Sequence, residues 1–252
     1  MILGRRVAAV LPAYNAAKTL AQTVADIPRD AVDDIILVDD CSRDETVALA
    51  RELGLFTVVH DRNRGYGGNQ KTCYATALAR GADIVIMVHP DHQYDPRYVT
   101  ELVTIIAEGR ADAAFGSRML TPGTALKGGM PRWKYLANIA LTNVANLVLG
   151  LRLSEYHSGF RAYSRKVLQT LALESNSDNF IFDTEIIIQL KHAGFRIREI
   201  PIPTRYFKDA SSIGFGRSVE YGLHVIMTLW HYVLHRINLR TDPRFAYVGS
   251  QD

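Results

Sequence analysis

Cysteine is scarce in this chain of 252 residues: Cys41 and Cys73 are the only two. Two cysteines make no disulfide framework, and this pair lacks metal-binding spacing, so a reducing cytoplasm is the expected setting. Long apolar runs are missing too. A spanning helix needs about 18 or more uninterrupted apolar residues. The segment 136–153 is broken by Asn138, Asn143 and Asn146, and 219–239 by Glu220, His224, His231, His235 and Arg236. No signal-peptide pattern precedes the first apolar stretch. A strong charge of either sign is also absent: the formal net charge is +3. That lacks the basic footprint of a nucleic-acid binder, so no nucleic-acid partner is expected. Internal repeats and low-complexity segments are lacking as well. With 48% hydrophobic and 22% charged residues, the composition is that of a folded globular protein, and the length suits one sizeable α/β domain with a short extension.

Short apolar runs alternate with helical patterns through the first 117 residues. Strands are expected at 7–11, 34–38, 56–59, 84–88 and 113–117, with helices at 16–25, 44–53, through 79, and at 96–108. Such alternation predicts an α/β fold with a mostly parallel sheet covered on both faces. Ligands of such sheets sit beyond the carboxyl ends of the strands. Polar residues gather at those ends: Asn15, Asp39, Asp40, His89, Asp91, Ser117 and Arg118. Beyond residue 118 the pattern changes. Residues 121–130 read as a loop, 133–149, 164–171 and 182–193 as helices, 197–203 as a strand, 211–217 as a second loop, and 219–236 as an amphipathic helix. The expected division is a domain over 1–210 and a helical C-terminal extension over 211–252.

Several clusters carry chemistry, each with a plainer structural alternative. Asp39-Asp40 can accept hydrogen bonds from a base or ribose, or simply cap the next helix. In His89-Pro90-Asp91-His92-Gln93, the Asp91 carboxylate with His89 and Gln93 can hold a divalent cation beside a diphosphate. The carboxylate suits Mg2+ or Mn2+, and the imidazole tilts the choice towards Mn2+. The alternative is a turn before a helix. Asn63-Arg64-Gly65-Tyr66-Gly67-Gly68-Asn69 is neither a dinucleotide fingerprint nor a P-loop, and a glycine-rich turn before a helix is its default reading. Arg118 ends a strand with a fork of donors suited to phosphate. Asp183 and Glu185 open a helix, where acids can supply a base or favour the helix N-terminus. Arg205, Lys208 and Arg217 flank a loop whose cations can fold over a diphosphate.

In this order the motifs resemble the family 2 glycosyltransferases of GT-A fold, especially the dolichyl-phosphate mannose synthase and polyprenyl-phosphate glycosyltransferase branch. The likeness covers roughly residues 5–208. Leu11-Pro12-Ala13-Tyr14-Asn15 resembles the opening Pro-x-Tyr-Asn motif, and 38–46 the Val-Asp-Asp-x-Ser-x-Asp-x-Thr motif. His89-Pro90-Asp91 stands where Asp-x-Asp would, Gly116-Ser117-Arg118 matches Gly-Ser-Arg, and Ser158-Gly159-Phe160-Arg161 matches Ser-Gly-Phe-Arg. Two positions depart: Ala16 replaces a usual Glu, and His89 the first Asp of the metal motif.

The resemblance implies an inverting transfer of sugar from a GDP- or UDP-sugar to an acceptor, a polyprenyl phosphate in this branch. Pro12, Ala13, Tyr14, Asn15, Val38, Asp39, Asp40, Lys71 and Pro90 would hold the nucleotide sugar, with Arg205 and Lys208 closing over it. Asp91, His89 and Gln93 would hold the metal. Arg118, Ser158 and Arg161 would face the acceptor. Asp91, Arg118, Asp183 and Glu185 are the catalytic candidates. A hydroxyl acceptor needs a base, for which Asp183 or Glu185 would serve, whereas a phosphate acceptor does not. The helices at 136–153 and 219–236 would meet either the inner membrane surface or a second copy of the chain. A non-catalytic sugar-nucleotide binder and a nucleotidyltransferase are the alternatives from other classes.

Overall fold

The computed structural model of the chain describes residues 1–204 and 215–245. Seven strands form one sheet: β1 (Val7–Ala13), β2 (Asp34–Asp39), β3 (Phe56–Val59), β4 (Ile84–Met87), β5 (Ala113–Ser117), β6 (Arg161–Ser164) and β7 (Ile197–Pro201). Their order across the sheet is β3-β2-β1-β4-β6-β5-β7. All neighbours run parallel except β6, which lies antiparallel between β4 and β5.

The helices are α1 (Leu20–Asp26), α2 (Thr46–Glu52), α3 (Gly65–Ala79), α4 (Val99–Ala107), α5 (Thr124–Lys127), α6 (Arg132–Leu149), α7 (Arg165–Thr170), α8 (Phe182–His192) and α9 (Phe215–Arg236). They cover both faces of the sheet, as the unbroken apolar strands require. Alternation along β1 sorts its side chains. Ala8 and Val10 join one core layer with Tyr74, Leu149, Phe182 and Leu229. Val7, Ala9 and Leu11 join the other with Leu20, Val24, Leu102 and Val103.

Two expectations need correction. Residues 121–130 are not all loop, because α5 forms a single turn there. The sequence also gave no strand at 161–164. Only four residues long and opened by an arginine, β6 carries too little periodicity to stand out. Its direction matters, because Arg161 pairs with Met87 and Phe115. The beginning of β6 therefore reaches the same rim as the carboxyl ends of the parallel strands. The expected boundary at 210/211 lies outside the described residues. On the C-terminal side, Val225, Leu229, Tyr232 and Phe245 enter the main core.

The glycine-rich segment opens α3 and packs against the segment before α8. Gly67 and Gly68 donate backbone N–H groups to the Asp178 carbonyl, at 2.7 and 3.4 Å. A Cβ at Gly67 would overlap the Ser177 carbonyl oxygen and stand 2.9 Å from Phe182 Cβ. Gly67→Ala is therefore expected to cost about 1–3 kcal/mol of stability, the usual range for overpacking. Gly54→Ala, whose Cβ would meet open space at a φ of +70°, should cost only about 1–2 kcal/mol, for the left-handed backbone alone. Urea unfolding of the two variants checks the difference, and equal losses would remove the packing argument.

Candidate active site

The loops after β1, β2 and β4 meet at one rim. Asn15 accepts the Arg43 N–H at 2.9 Å and donates its own N–H to Ser42 Oγ at 2.8 Å, fastening the first loop to the second. Thr19 Oγ1 donates to the Pro90 carbonyl at 2.5 Å, fastening the first loop to the third. Tyr14 stands exposed at the edge, while Pro12, Ala13 and Val38 form the end of the sheet beneath.

The two aspartates at the end of β2, Asp39 within it and Asp40 just beyond, divide their work differently from expectation. Asp40 Oδ1 accepts the Arg64 N–H at 2.7 Å and meets His60 Nδ1 at 2.8 Å, and Oδ2 accepts the Gly65 N–H at 3.0 Å. Both oxygens are thus occupied in anchoring the start of α3. Asp39 gives Oδ2 to the Ser42 N–H at 2.9 Å. Its buried Oδ1 has no partner among the described residues.

A cavity of about 220 Å³ opens beside the third loop. One wall is His89, Asp91, Gln93 and Tyr94; another is Tyr66, Phe180 and Asp183; a third is Trp133, Lys134, Ala137, Asn138 and Leu141 of α6. Arg118, Met130, His157, Gly159, Ser218 and Tyr221 complete it. A larger cavity of about 600 Å³ lies at the opposite rim, around Asp83, Asp112 and Ser164, away from these groups. Asp91 Oδ1 accepts the Gln93 N–H at 3.1 Å. Tyr66 Oη donates to Asp183 Oδ2 at 2.7 Å and lies 3.3 Å from His89 Nε2. Burial, then the Asp183 carboxylate, push the Tyr66 phenol well above its ordinary pKa. Among the described residues, no group of three or more His, Cys, Asp or Glu side chains is arranged to hold a metal. The local donor set is one carboxylate, one imidazole and one amide.

Arg118 reaches the cavity, but already paired. Its Nε donates to Glu155 Oε1 at 2.8 Å, Nη2 meets the same oxygen, and its backbone N–H takes Oε2 at 2.9 Å. Burial alone would raise the Glu155 pKa; Arg118 and the Asn138 amide outweigh it and hold the carboxylate below the usual range. Lys134 is lowered by burial and by Arg118. His157 donates to or accepts from Tyr221 Oη at 2.9 Å through Nδ1, while buried Nε2 has no partner among the described residues. Burial, with Arg118 and Arg161 nearby, pushes its pKa down to about 4.

Five expected site residues lie elsewhere or act otherwise. Besides Asp40, Lys71, expected to bind the donor, has its Nζ on the Asn176 carbonyl (2.6 Å) and Asp178 Oδ1 (2.8 Å), tying down the segment before α8. Glu185, expected as a candidate base, does not line the cavity and instead lies 2.7 Å from Arg244 Nη1 and accepts the Ser177 N–H at 2.7 Å. Ser158 and Arg161 are buried beneath the cavity rather than lining it. Arg161 donates to the carbonyls of Tyr156, Ser158 and Asp183 at 2.6–2.7 Å. Arg205 and Lys208, expected to close over the donor, lie outside the described residues, as does the side chain of Arg217. The sequence reading also passed over Tyr66, Tyr94, Trp133, Lys134, Asn138, His157, Phe180 and Tyr221 as site residues. Motif positions signalled Tyr66, Tyr94 and His157, which sit in the glycine-rich segment, just after the metal motif and just before Ser158-Gly159-Phe160-Arg161.

A sheet of this kind, with its polar cavity at the carboxyl rim, is that of a GT-A transferase. Glucosyl-3-phosphoglycerate synthase from Mycobacterium tuberculosis, solved with Mn2+, UDP and glucosyl-3-phosphoglycerate, shares the fold with a TM-score of 0.70 at 20% identity, over 94% of this chain and 82% of that one. The sequence model of Glycosyl transferase family 2 matches residues 8–172, and the chain belongs to that family and is a glycosyltransferase. The uncharacterized protein MJ1222 of Methanocaldococcus jannaschii is 31% identical over 87% of this chain and 89% of its own length. The UDP-N-acetylglucosamine–dolichyl-phosphate N-acetylglucosaminyltransferase of Methanococcus voltae is 27% identical over 87% and 93%, and the undecaprenyl-phosphate mannosyltransferase of Micrococcus luteus 27% identical over 78% and 82%.

The lowered His157 gives a signed pH dependence. In the unfolded chain this histidine takes up a proton near pH 6.5, whereas the folded protein resists until about pH 4. Stability from this group is therefore complete above the higher value and is lost as pH falls through that window. Chemical denaturation across the window should show a flatter pH slope for His157→Gln than for the parent; identical slopes would contradict the assignment.

Proposed function

We propose that the chain moves a sugar, with inversion, from a nucleoside diphosphate to a polyprenyl phosphate at a membrane surface, aided by a divalent cation. The observation that carries this reading is the composition of one cavity. Asp91 and His89 line it together with Trp133, Ala137 and Leu141 of α6, and the cations Lys134 and Arg118 line it as well. The relatives from Methanococcus voltae and Micrococcus luteus, transferases named for dolichyl phosphate and undecaprenyl phosphate, support the acceptor class.

On the donor side, Tyr14 would flank the nucleoside, and Asp39, with its spare oxygen, replaces Asp40 as the acceptor for base or ribose donors. The Asp91 carboxylate, His89 and Gln93 are the residues that would hold a cation, and with one carboxylate among them they suit a cation shared with an anionic ligand rather than one held by protein alone. Mn2+ suits this mixed set better than Mg2+. A cation held by these residues would supply positive charge against the negative charge that builds on the departing diphosphate.

On the acceptor side, an oxygen of the lipid phosphate attacks the anomeric carbon. The bond from that carbon to the donor diphosphate breaks, and the nucleoside diphosphate leaves with the electron pair. A phosphate monoester is largely dianionic near neutral pH, its second pKa being about 6. No proton must be removed, and Asp183, both of whose oxygens accept hydrogen bonds, is not needed as a base. Lys134 and Arg118 would meet the acceptor phosphate.

Outside the cavity, α6 and α9 expose Leu136, Ile139, Leu147, Leu223, Ile226 and Trp230, with Arg132, Arg236 and Arg240 also exposed on and just beyond the same helices. Apolar side chains flanked by cations suit the interface of an anionic membrane. Among the described residues no helix is long and apolar enough to cross one.

Two experiments test this reading. A panel of UDP- and GDP-sugars, scored by thermal stabilisation, should show one donor that stabilises, further stabilisation by Mn2+ with that donor, and no shift from Mn2+ alone. Asp91→Asn should keep the nucleotide effect and lose the Mn2+ increment; a Mn2+ response unchanged in that variant would defeat the cation assignment. For the acceptor, the double variant Leu147→Glu/Leu223→Glu should bind anionic vesicles at least about tenfold more weakly, since each buried leucine contributes about 1.5–3 kcal/mol. It should still glycosylate a short, water-soluble prenyl phosphate. Vesicle binding equal to that of the parent would exclude this membrane face.

A further inference from the structure

Two segments distant in sequence, with Tyr94 of its own loop, are built around the His89 ring. Tyr66, in the first turn of α3, lies parallel to it, with ring centroids 5.6 Å apart and planes 6° apart. Gly159 lies so close that a Cβ there would overlap His89 Nε2 and stand 3.0 Å from Tyr66 Oη. Tyr94 Oη accepts the Gly159 N–H at 3.4 Å, and its ring centroid is 6.4 Å from that of His89. An imidazole that merely replaced a lost carboxylate would not need such a fitted cradle.

The direction of the hydrogen bonds follows from the far end of the chain. Asp183 Oδ2 lies 2.7 Å from Tyr66 Oη, and Oδ1 accepts from Gln70 Nε2 at 3.2 Å. Arg161 Nη1 lies 3.7 Å from that same Oδ1 and donates to the Asp183 carbonyl at 2.7 Å. Tyr66 has a single proton, and it donates that proton to Asp183 Oδ2. Tyr66 Oη then has only lone pairs left for His89 Nε2, 3.3 Å away. Nε2 must carry the hydrogen, and Nδ1 keeps the free lone pair.

We propose that Asp183 and Tyr66 are positioning residues that hold His89 in its Nε2–H tautomer and leave Nδ1 as the nitrogen offered to a divalent cation. This rests on the cation site described under the proposed function. Asp183 thereby has a task distinct from that of a base: carboxylate, phenol and imidazole form a relay in which the outer partners orient the ligand. Partners of this kind ordinarily alter metal affinity about 10–100-fold.

The test begins on metal-free protein. Long-range proton–nitrogen correlation spectra of 15N-histidine-labelled protein, at mildly alkaline pH, should show His89 as the Nε2–H tautomer, with the signal assigned by its loss in His89→Gln. In Tyr66→Phe, which keeps the ring packed on Phe180 at 4.7 Å, the tautomers should mix. Mn2+ titrations in the presence of UDP, followed by electron paramagnetic resonance, should show affinity about tenfold weaker or more in Tyr66→Phe and in Asp183→Asn, with metal-free UDP affinity and thermal unfolding near those of the parent in Tyr66→Phe. An Nδ1–H tautomer in the parent, or a Tyr66→Phe variant with parental tautomer and Mn2+ affinity, would overturn the relay. Asp91→Asn separates the two levels. If it weakens Mn2+ binding while Tyr66→Phe does not, the relay alone fails; if neither does, the cation site fails with it.

Discussion

The buried guanidinium of Arg161 governs how the cavity is assembled. Only 2% of its surface is exposed, and an arginine can neither deprotonate nor hide its five N–H donors. It must find acceptors inside the protein, and it finds the carbonyls of Tyr156, Ser158 and Asp183. Those carbonyls belong to the turn before β6 and to the first turn of α8. Joining them puts Gly159 against His89 and aims Asp183 at Tyr66. Leaving a buried charge without its partners typically costs several kcal/mol, so the arrangement has little freedom to drift.

The parallel half of the sheet was readable from the sequence because β1, β2, β4 and β5 are nearly continuous apolar runs, which only a doubly covered sheet accommodates. β6 was not readable, because four residues opened by a charge have no usable period. The polar rim was located correctly, since strand order and direction alone bring Asn15, Asp39, Asp40, His89 and Asp91 together.

Individual roles were less legible, for a consistent reason: charge at a motif position does not reveal which way a side chain turns. Lys71 and Glu185 both sit on helices, and the pattern does not distinguish a cavity-facing side chain from one spent on a neighbouring segment. Asp40 looks like a ligand contact because it follows a buried strand, yet the backbone of Arg64 and Gly65 uses both its oxygens. The α6 wall was hidden in another way. Trp133, Lys134 and Asn138 belong to a helix whose spacing shows apolar residues and an asparagine stripe but not what either meets. That Asn138 turns inward to Glu155 at 2.9 Å depends on a partner 17 residues away.

The reversal of β6 has a bearing on tolerance to insertion. Loops that follow strands can lengthen without disturbing the sheet, because their far ends feed helices that shift as units. Gly159 is different: two residues later the chain is locked into register with Met87 and Phe115. An extra residue between Tyr156 and Arg161 has nowhere to be absorbed except against the His89 ring, whereas one near Thr121–Gly123 enters an exposed turn. The rim of this transferase thus has one stretch whose length is set by the sheet itself, flanked by others whose length is free to vary.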